Sequence, residues 1–110
     1  MKITAEKILR FAELSGDHNP IHLDDKASPF GQRIAHGMLV ASLISAEIAR
    51  QYPKAIYVRQ DLRFLAPVFV DDEVRVEIEA KDEEKFLALK TFVFRGQEAV
   101  LSGEAVILCG

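Results

Sequence analysis

An apolar segment in the middle of the chain, MLVASLISAEIARQY, leaves few folds open. Its first turns carry apolar or small side chains on every side, and charged residues enter only at Glu47 and Arg50. A helix that is apolar all round has to be surrounded by other elements. In a chain of 110 residues only a sheet can do this, and Pro53 ends the helix.

The second half of the chain supplies that sheet, because its apolar and polar residues alternate with a period of two. The clearest case is EVRVEIEAK, where Val74, Val76 and Ile78 alternate with charged residues. Three further runs read as strands, namely IYVRQDLRF (56–64), FLALKTFVFR (86–95) and EAVLSGEAVIL (98–108). Turn residues between them favour antiparallel neighbours. The prediction is one α+β domain over residues 1–110, an antiparallel sheet wrapped around a central helix.

The first third of the chain is a short helix followed by a long loop. Apolar residues recur at helical spacing over 5–15, Thr4 is a suitable N-cap, and Gly16 stands where a helix C-terminus favours a left-handed residue. The next stretch, DHNPIHLDDKASPFGQRIAHG, has no sustained period and is predicted as an ordered loop. Long loops in compact domains are often functional.

Composition removes several classes of function. The single cysteine, Cys109, excludes an intramolecular disulfide and favours a reducing, cytoplasmic location. The net charge of −3 with no basic block argues against a nucleic-acid partner. The longest uncharged apolar run, residues 37–46, is too short to cross a membrane, and the start of the chain lacks a signal-peptide pattern.

The densest group of chemically able residues is GDHNPIHLDD. His18 and His22 have the spacing of a zinc pair on a helix, but Pro20 between them disfavours that helix. A calcium loop starting at Asp17 would need an oxygen ligand at its fifth position, which is Ile21. These spacings therefore predict no metal site.

Two interpretations of this group stay open on residue types alone. In one, Asp17 and Asn19 only cap turns and the histidines are solvated. In the other, Asp17 and His22 form a general acid/base pair that holds a water molecule between them. Such a pair also needs a group that stabilises developing negative charge on an oxygen.

The segment AHGMLVAS offers that group at the start of the apolar helix. Backbone N–H groups at a helix N-terminus lack intrahelical partners, and Gly37 would let a ligand carbonyl come close. His36 would assist binding there or only cap or pack the helix end, and packing is the favoured interpretation. For Ser42, a hydrogen bond back to the helix backbone is favoured.

At this point the residues suggest a family. FAELSGDHNPIHLD followed by AHGMLVASLIS resembles the hydratase motif of the MaoC-like (R)-specific enoyl-CoA hydratases, and LRFLAPVFVDDEV is similar to the strand and turn beyond the family's central helix. The resemblance covers nearly the whole chain from Phe11 onward. It implies a hot-dog fold, with the sheet around the helix Gly37–Gln51. It also implies reversible syn addition of water across trans-2-enoyl-CoA to give (R)-3-hydroxyacyl-CoA, without a metal or redox cofactor.

The resemblance also implies roles for individual residues. Asp17 and His22 would activate water, Asn19 would orient them, the Gly37 N–H would bind the thioester oxygen, and Ser45 would line the site. The acyl-CoA substrate would lie against apolar side chains. The substrate-binding candidates are Ser45, His36, Leu39, Phe30 and Phe64, with Phe69 as a further apolar candidate. The basic residues Lys54, Arg59 and Arg63 could reach coenzyme phosphates, but a solvated surface position is favoured for them.

Hot-dog domains generally pair their sheets, so the resemblance implies a homodimer or higher homo-oligomer. Only residues 1–3 precede Thr4, so the sheet is expected to lack a strand or to have an edge covered by a partner. Three other functions remain as alternatives. They are dehydration of 3-hydroxyacyl thioesters on a carrier protein, binding of acyl thioesters without turnover, and thioester hydrolysis.

Overall fold

The computed structural model describes residues 1–82 and 86–109. Its helices are α1 (Ala5–Ser15), α2 (Pro20–Leu23) and α3 (Gly37–Gln51), with a 3-10 turn at Asp25–Ala27. Its strands are β1 (Ile56–Gln60), β2 (Arg63–Phe64), β3 (Arg75–Asp82), β4 (Phe86–Arg95) and β5 (Glu98–Leu108). None of the described helices is long and apolar enough to span a bilayer.

The strands form one antiparallel sheet in the order β1-β5-β4-β3, and β2 also pairs with β5. The predicted antiparallel sheet is therefore confirmed. β4 and β5 have the predicted bounds, whereas β3 begins at Arg75 rather than Glu73. Gly96 makes the turn between β4 and β5 with a positive φ of 60°, a conformation that glycine adopts without strain.

The core lies between α3 and the sheet. Val40, Ile44 and Ile48 on the helix are buried, as are Leu89 and Val93 on the inner face of β4. Burying each of these branched side chains contributes about 1.5–3 kcal/mol to folding. This packing fixes α3 on the sheet, and with it the position of the helix N-terminus.

One prediction about α3 is only partly right, because the sheet covers a single face of the helix. The opposite face, apolar or small in sequence, is exposed in the single chain; it comprises Met38, Ser42, Ser45, Ala46 and Ala49. The sequence pattern predicts a helix enclosed on all sides. The structure leaves this face for solvent or for another chain.

The predicted strand 56–64 is interrupted. Its two halves, β1 and β2, are separated at Asp61 and Leu62. Asp61 leaves the regular ladder because its N–H donates to the Glu104 carbonyl and its carboxylate accepts the Glu104 N–H. A bulge after Tyr57 further breaks the alternation. A side chain that binds backbone in this way competes with regular strand pairing.

The N-terminal expectations also need correction. The stretch predicted as an irregular loop contains α2 and the 3-10 turn. Residues 1–3 are extended and pair with the segment before β3, with the Ile3 N–H donating to Asp72 and the Asp71 N–H donating to Ile3. Ile3 is fully buried. Residues 1–3 therefore cover part of the sheet edge that was expected to lack a strand or to be covered by a partner.

Lys54, between α3 and β1, provides a small stability test. Its φ of 70° is left-handed, which costs a residue with a Cβ about 1–2 kcal/mol. Lys54→Gly removes this cost but gives the unfolded chain more freedom, worth about 0.4–1 kcal/mol. We therefore expect a rise in Tm of a few degrees in thermal unfolding. Lys54→Ala keeps the Cβ and should give no rise, and a lower Tm for the glycine variant would contradict the strain argument.

Candidate functional site

The turn after α1 places Asp17. Gly16 ends the helix in the left-handed conformation, with φ of 81°, and its N–H donates to the Ala12 carbonyl. The Asp17 N–H then donates to the Ser15 hydroxyl at 3.1 Å. The Asp17 carboxylate accepts the Asn19 N–H at 3.2 Å, which holds this carboxylate close to the start of the next helix.

Asn19 and Pro20 start the helix that carries His22. The Asn19 side-chain oxygen accepts the Ile21 N–H at 3.2 Å, and Pro20 occupies the first helical position, which tolerates the missing N–H. Asn19 therefore caps the turn, as one of the two interpretations expected. Its contacts also hold Asp17 and His22 at a fixed separation. The helix begins at Pro20, so exposed His18 lies outside it, and a zinc pair of His18 with His22 on one helical face does not form.

His22 is buried and its tautomer is fixed. Its Nδ1 lies 2.7 Å from the carbonyl oxygen of Ile34, and a carbonyl can only accept, so Nδ1 carries the proton. The lone pair of the neutral ring is then on Nε2. His22 also lines a cavity, so the solvated interpretation of this histidine is wrong.

His36 packs beneath the pair. It is 2% exposed, and its Nε2–H donates to the backbone carbonyl of Asp17 at 2.9 Å. Its ring stacks on His22 with centroids 3.9 Å apart and 26° between the planes, and Phe11 contacts it from another side. Its buried Nδ1 has no partner among the described residues. The favoured packing role is what the structure shows, and His36 does not line the cavity, contrary to its assignment as a substrate-binding residue.

Asp17, His22 and His36 each bring one atom able to bind a metal to within 4.8 Å of the others. The two rings are nearly parallel, so their in-plane lone pairs point side by side rather than toward one centre. Tetrahedral zinc needs ligand atoms converging at about 2.0–2.2 Å from the ion. A water molecule needs only hydrogen-bond distances, and the arrangement fits water bridging Asp17 and His22 better than a zinc ion.

A cavity of about 350 Å³ opens beside His22 and Gly37. Its wall is mainly apolar and includes Val40, Phe64 and Val68. The first hydrogen bonds of α3 go to the His36 carbonyl from Leu39 and Val40; in the described chain the N–H groups of Gly37 and Met38 have no protein acceptor. The Gly37 donor therefore lies at the cavity wall with the positive end of the helix dipole behind it.

The structure brings some predicted binding residues to the cavity and leaves others elsewhere. Phe64 lines it and lies against Gly37, although its side chain is half exposed. Leu39 packs against the hydrophobic core instead. Phe30 is exposed and meets Phe69 edge to face, with ring centroids 5.7 Å apart. Ser45 is exposed on the open face of α3 and does not line the cavity.

For Ser45 the reason is helical geometry. Gly37 and Val40 are three positions apart and share the cavity-facing side of α3, whereas Ser45 lies on the face of the helix that is turned away from the sheet. The basic residues Lys54, Arg59 and Arg63 are exposed, in keeping with the favoured solvated position. None of the three contributes to the cavity wall.

Sequence reasoning missed two parts of the site. The first is the Ile34 carbonyl, which fixes the tautomer of His22; a backbone group has no residue-type signature. The second is the wall formed by residues 65–68, which follows β2. Its apolar residues were visible in LRFLAPVF, but only the fold shows that they approach His22.

Known proteins are similar to this chain in sequence and in fold. The 3-hydroxybutyryl-CoA dehydratase of Methylorubrum extorquens is 40% identical, over 96% of this chain and 73% of that protein. The (R)-specific enoyl-CoA hydratase of Aeromonas caviae is 40% identical, over 94% of this chain and 84% of that one. The solved (R)-hydratase from A. caviae, involved in PHA biosynthesis, superposes with a TM-score of 0.91 at 38% identity, covering 100% of this chain and 90% of the other.

These similarities confirm the α+β hot-dog fold expected from the sequence, with an antiparallel sheet packed on α3. The model of the MaoC like domain matches residues 1–100. Because that match and the relatives both cover most of the chain, this protein belongs to the MaoC-like domain family.

Proposed function

We propose that this protein catalyses the reversible addition of water across trans-2-enoyl-CoA to give (R)-3-hydroxyacyl-CoA. One observation carries the proposal. A carboxylate oxygen of Asp17 lies within 4.8 Å of a ring nitrogen of His22, and His22 lines a mainly apolar cavity together with Gly37, the first residue of α3. The relatives named above as an (R)-specific enoyl-CoA hydratase and a 3-hydroxybutyryl-CoA dehydratase carry names that correspond to the two directions of such a reaction.

Asp17 and His22 supply the proton chemistry in this proposal. Water between them donates one hydrogen bond to the Asp17 carboxylate and another to the free Nε2 of His22. As the water oxygen bonds to C3 of the enoyl group, its proton passes to one of these bases. The same pair returns a proton to C2, so atoms and charge balance over the cycle. General acid/base groups of this kind contribute about 10²–10⁴ in rate.

The Gly37 N–H supplies the electrostatic part. When water attacks C3, electron density moves through C2 to the thioester oxygen, which becomes negative. A preorganised backbone donor aimed at such an oxygen is worth about 10²–10³ in rate. The mainly apolar wall of the cavity strengthens this interaction by excluding water.

The direct test is turnover of crotonyl-CoA, followed as the loss of absorbance of the conjugated thioester, with the stereochemistry of the alcohol determined. We expect hydration with the (R) product. Release of free thiol would identify a thioesterase instead. Turnover of carrier-protein thioesters alone would identify the carrier-dependent dehydratase. Thermal stabilisation by acyl-CoA without product would identify a binding module.

Gly37→Ala tests the close packing at the helix start. A Cβ there would lie 2.6 Å from Cε1 and 3.0 Å from Cδ1 of Phe64, so the ring has to move. Because Phe64 is half exposed, the ring can swing at little cost in stability, but it then shifts the cavity wall beside the N–H donor. We expect kcat/KM for crotonyl-CoA to fall about 10- to 100-fold, the range of small misplacements in active sites.

The control for that variant is the pair Phe64→Leu and Gly37→Ala/Phe64→Leu. Leucine lacks Cε1, the ring atom that would lie 2.6 Å from the new methyl group, so the closest clash is removed and the double variant should have an activity close to that of Phe64→Leu alone. Full activity of Gly37→Ala with an unchanged Tm would contradict the packing argument.

Two copies of the chain are proposed to pair through β1. β1 bonds to β5 on one side, and no other described strand bonds to its second edge. Ile56 and Val58 on this strand are 59% and 52% exposed. An open edge with exposed branched side chains is unstable alone, and a two-fold axis lets identical edges pair. The homodimer thus covers surface that a single chain leaves open.

Light scattering on the purified protein tests this pairing. We expect a dimer mass for the wild type and a lower mass for Val58→Lys, because a buried lysine at the paired edge lacks a partner. Leu14→Lys, at an 85% exposed position on α1, should remain dimeric. A wild-type monomer would contradict the pairing.

A further inference from the structure

One wall of the cavity is a segment that has little regular structure. Residues 65–72 connect β2 to β3, and the first four of them line the cavity. The segment is held at its start by the N–H groups of Leu65 and Ala66, which donate to the Val100 carbonyl. At its end, Asp71 and Asp72 pair with the N-terminal residue Ile3. Its middle is held by Arg95 and by the residues just before α3.

Arg95, the last residue of β4, contacts that middle. Its Nη1 donates to the Pro67 carbonyl at 2.8 Å and to Oδ2 of Asp72 at 2.6 Å. The same Asp72 oxygen accepts the Phe69 N–H at 2.8 Å. The guanidinium also lies 5.8 Å from the centre of the Phe69 ring. One side chain therefore binds the segment in its middle and at its end.

The segment in turn pairs with the chain just before α3. The Ala35 N–H donates to the Val68 carbonyl at 2.7 Å, and the Val70 N–H donates to the Arg33 carbonyl at 3.2 Å. Ile34 lies between these two bonds, and its own N–H donates to the Ile21 carbonyl at 3.2 Å, so residues 65–72 and α2 together hold its position.

Ile34 provides the last link. Its carbonyl accepts the Nδ1 proton of His22 and thereby leaves Nε2 free. Successive contacts therefore run from Arg95 through residues 67–72 and 33–35 to the imidazole, although Arg95 itself does not line the cavity.

We propose that Arg95 is a positioning residue that fixes the cavity wall and, through the Ile34 carbonyl, the tautomer of His22. The catalytic part of this inference rests on the proposed function. The effect of Arg95 on the tautomer of His22 does not depend on that function. A guanidinium suits this task because its planar array of donors holds several oxygens in fixed directions, whereas lysine is a single point charge. Arg95 also contacts Glu98, whose carboxylate is more exposed than that of Asp72, so this contact should contribute less to holding the guanidinium in place.

The first experiment reads the tautomer directly, by 15N NMR of the histidine side chains, with the His22 signals assigned from a His22→Asn variant. We expect Nδ1–H in the wild type and a mixture with Nε2–H in Arg95→Gln. Arg95→Lys should be intermediate, and Glu98→Gln should match the wild type. An unchanged tautomer in a folded Arg95→Gln protein would overturn the proposal.

Asp72→Asn gives a second variant that keeps side-chain size, in case Arg95→Gln does not fold. It weakens the contact from the other partner and should shift the tautomer in the same direction. If it is folded and its His22 spectrum is that of the wild type, the proposal is wrong.

Kinetics provide the functional readout. For Arg95→Gln we expect kcat/KM with crotonyl-CoA to fall about 10- to 100-fold, because the cavity wall and the imidazole are no longer held in place. The mixture of tautomers contributes a few-fold part of this loss and alters the pH profile. A role confined to stability would lower Tm and leave the tautomer and pH profile unchanged. If the wild type turns over no enoyl thioester but the tautomer shifts in Arg95→Gln, the proposed function fails and the positioning role stands.

Discussion

Asp17→Asn should lower kcat for crotonyl-CoA hydration by about 10²–10⁴-fold. The amide is nearly the same size and still accepts the Asn19 N–H through its oxygen, so the turn after α1 should be retained. It cannot take a proton from the water that attacks C3. Because the change removes proton transfer rather than binding, KM should move much less than kcat. The measurement is the steady-state loss of enoyl-thioester absorbance.

The matched control for this variant is Glu13→Gln, which neutralises another exposed carboxylate nearby in the chain, on α1. It should keep wild-type kcat. Equal Tm values for both variants and the wild type would show that the loss is chemical rather than structural. If Asp17→Asn retains full activity, the carboxylate is not the base and the role assigned to it is wrong.

Gly103→Ala should cost the fold about 3 kcal/mol or more in free energy of unfolding, at the upper end of single substitutions. A Cβ at this position on β5 would lie 2.0 Å from the Asp61 carbonyl oxygen and 3.0 Å from its carbonyl carbon. Both atoms are backbone. Asp61 is held there by two hydrogen bonds to the neighbouring Glu104, so neither strand can yield without losing its pairing.

Chemical denaturation of the purified variant measures this effect. Ser102→Ala, one residue away on the same strand, is the control, because it adds no atom and should unfold close to the wild type. A Gly103→Ala protein with wild-type stability would show that the Asp61 backbone can move away from Gly103 at little cost, which would contradict the packing argument.

The sheet and the central helix were predictable because both leave periodic patterns in the sequence. The alternation in 73–81 and the apolar run after Gly37 each report on burial along one element. The break at Asp61 was not predictable, because it depends on a carboxylate binding the backbone of a residue far along the chain. The open face of α3 was missed for a related reason: its apolar and small residues look the same in sequence as core residues.

The candidate site was likewise predictable in part. Asp17, His22 and Gly37 were singled out because their residue types and spacing match a motif. His22 and Gly37 line the cavity, and a carboxylate oxygen of Asp17 lies within 4.8 Å of a ring nitrogen of His22. Ser45 was assigned from the family resemblance, and Leu39 and Phe30 were assigned from their apolar character. Which way each of them points depends on the packing of α3 and of the loop before it, which residue types do not specify.

Ile34 offers a practical consequence for redesign. Its main-chain oxygen orients the imidazole of His22, while its side chain lines the cavity. Substituting the side chain leaves the oxygen in place, so acyl-chain selectivity can be engineered at this codon independently of the proton-transfer machinery. A library restricted to Val, Leu, Met and Ala at this one position would reshape the space around the substrate tail and keep the base in its working form.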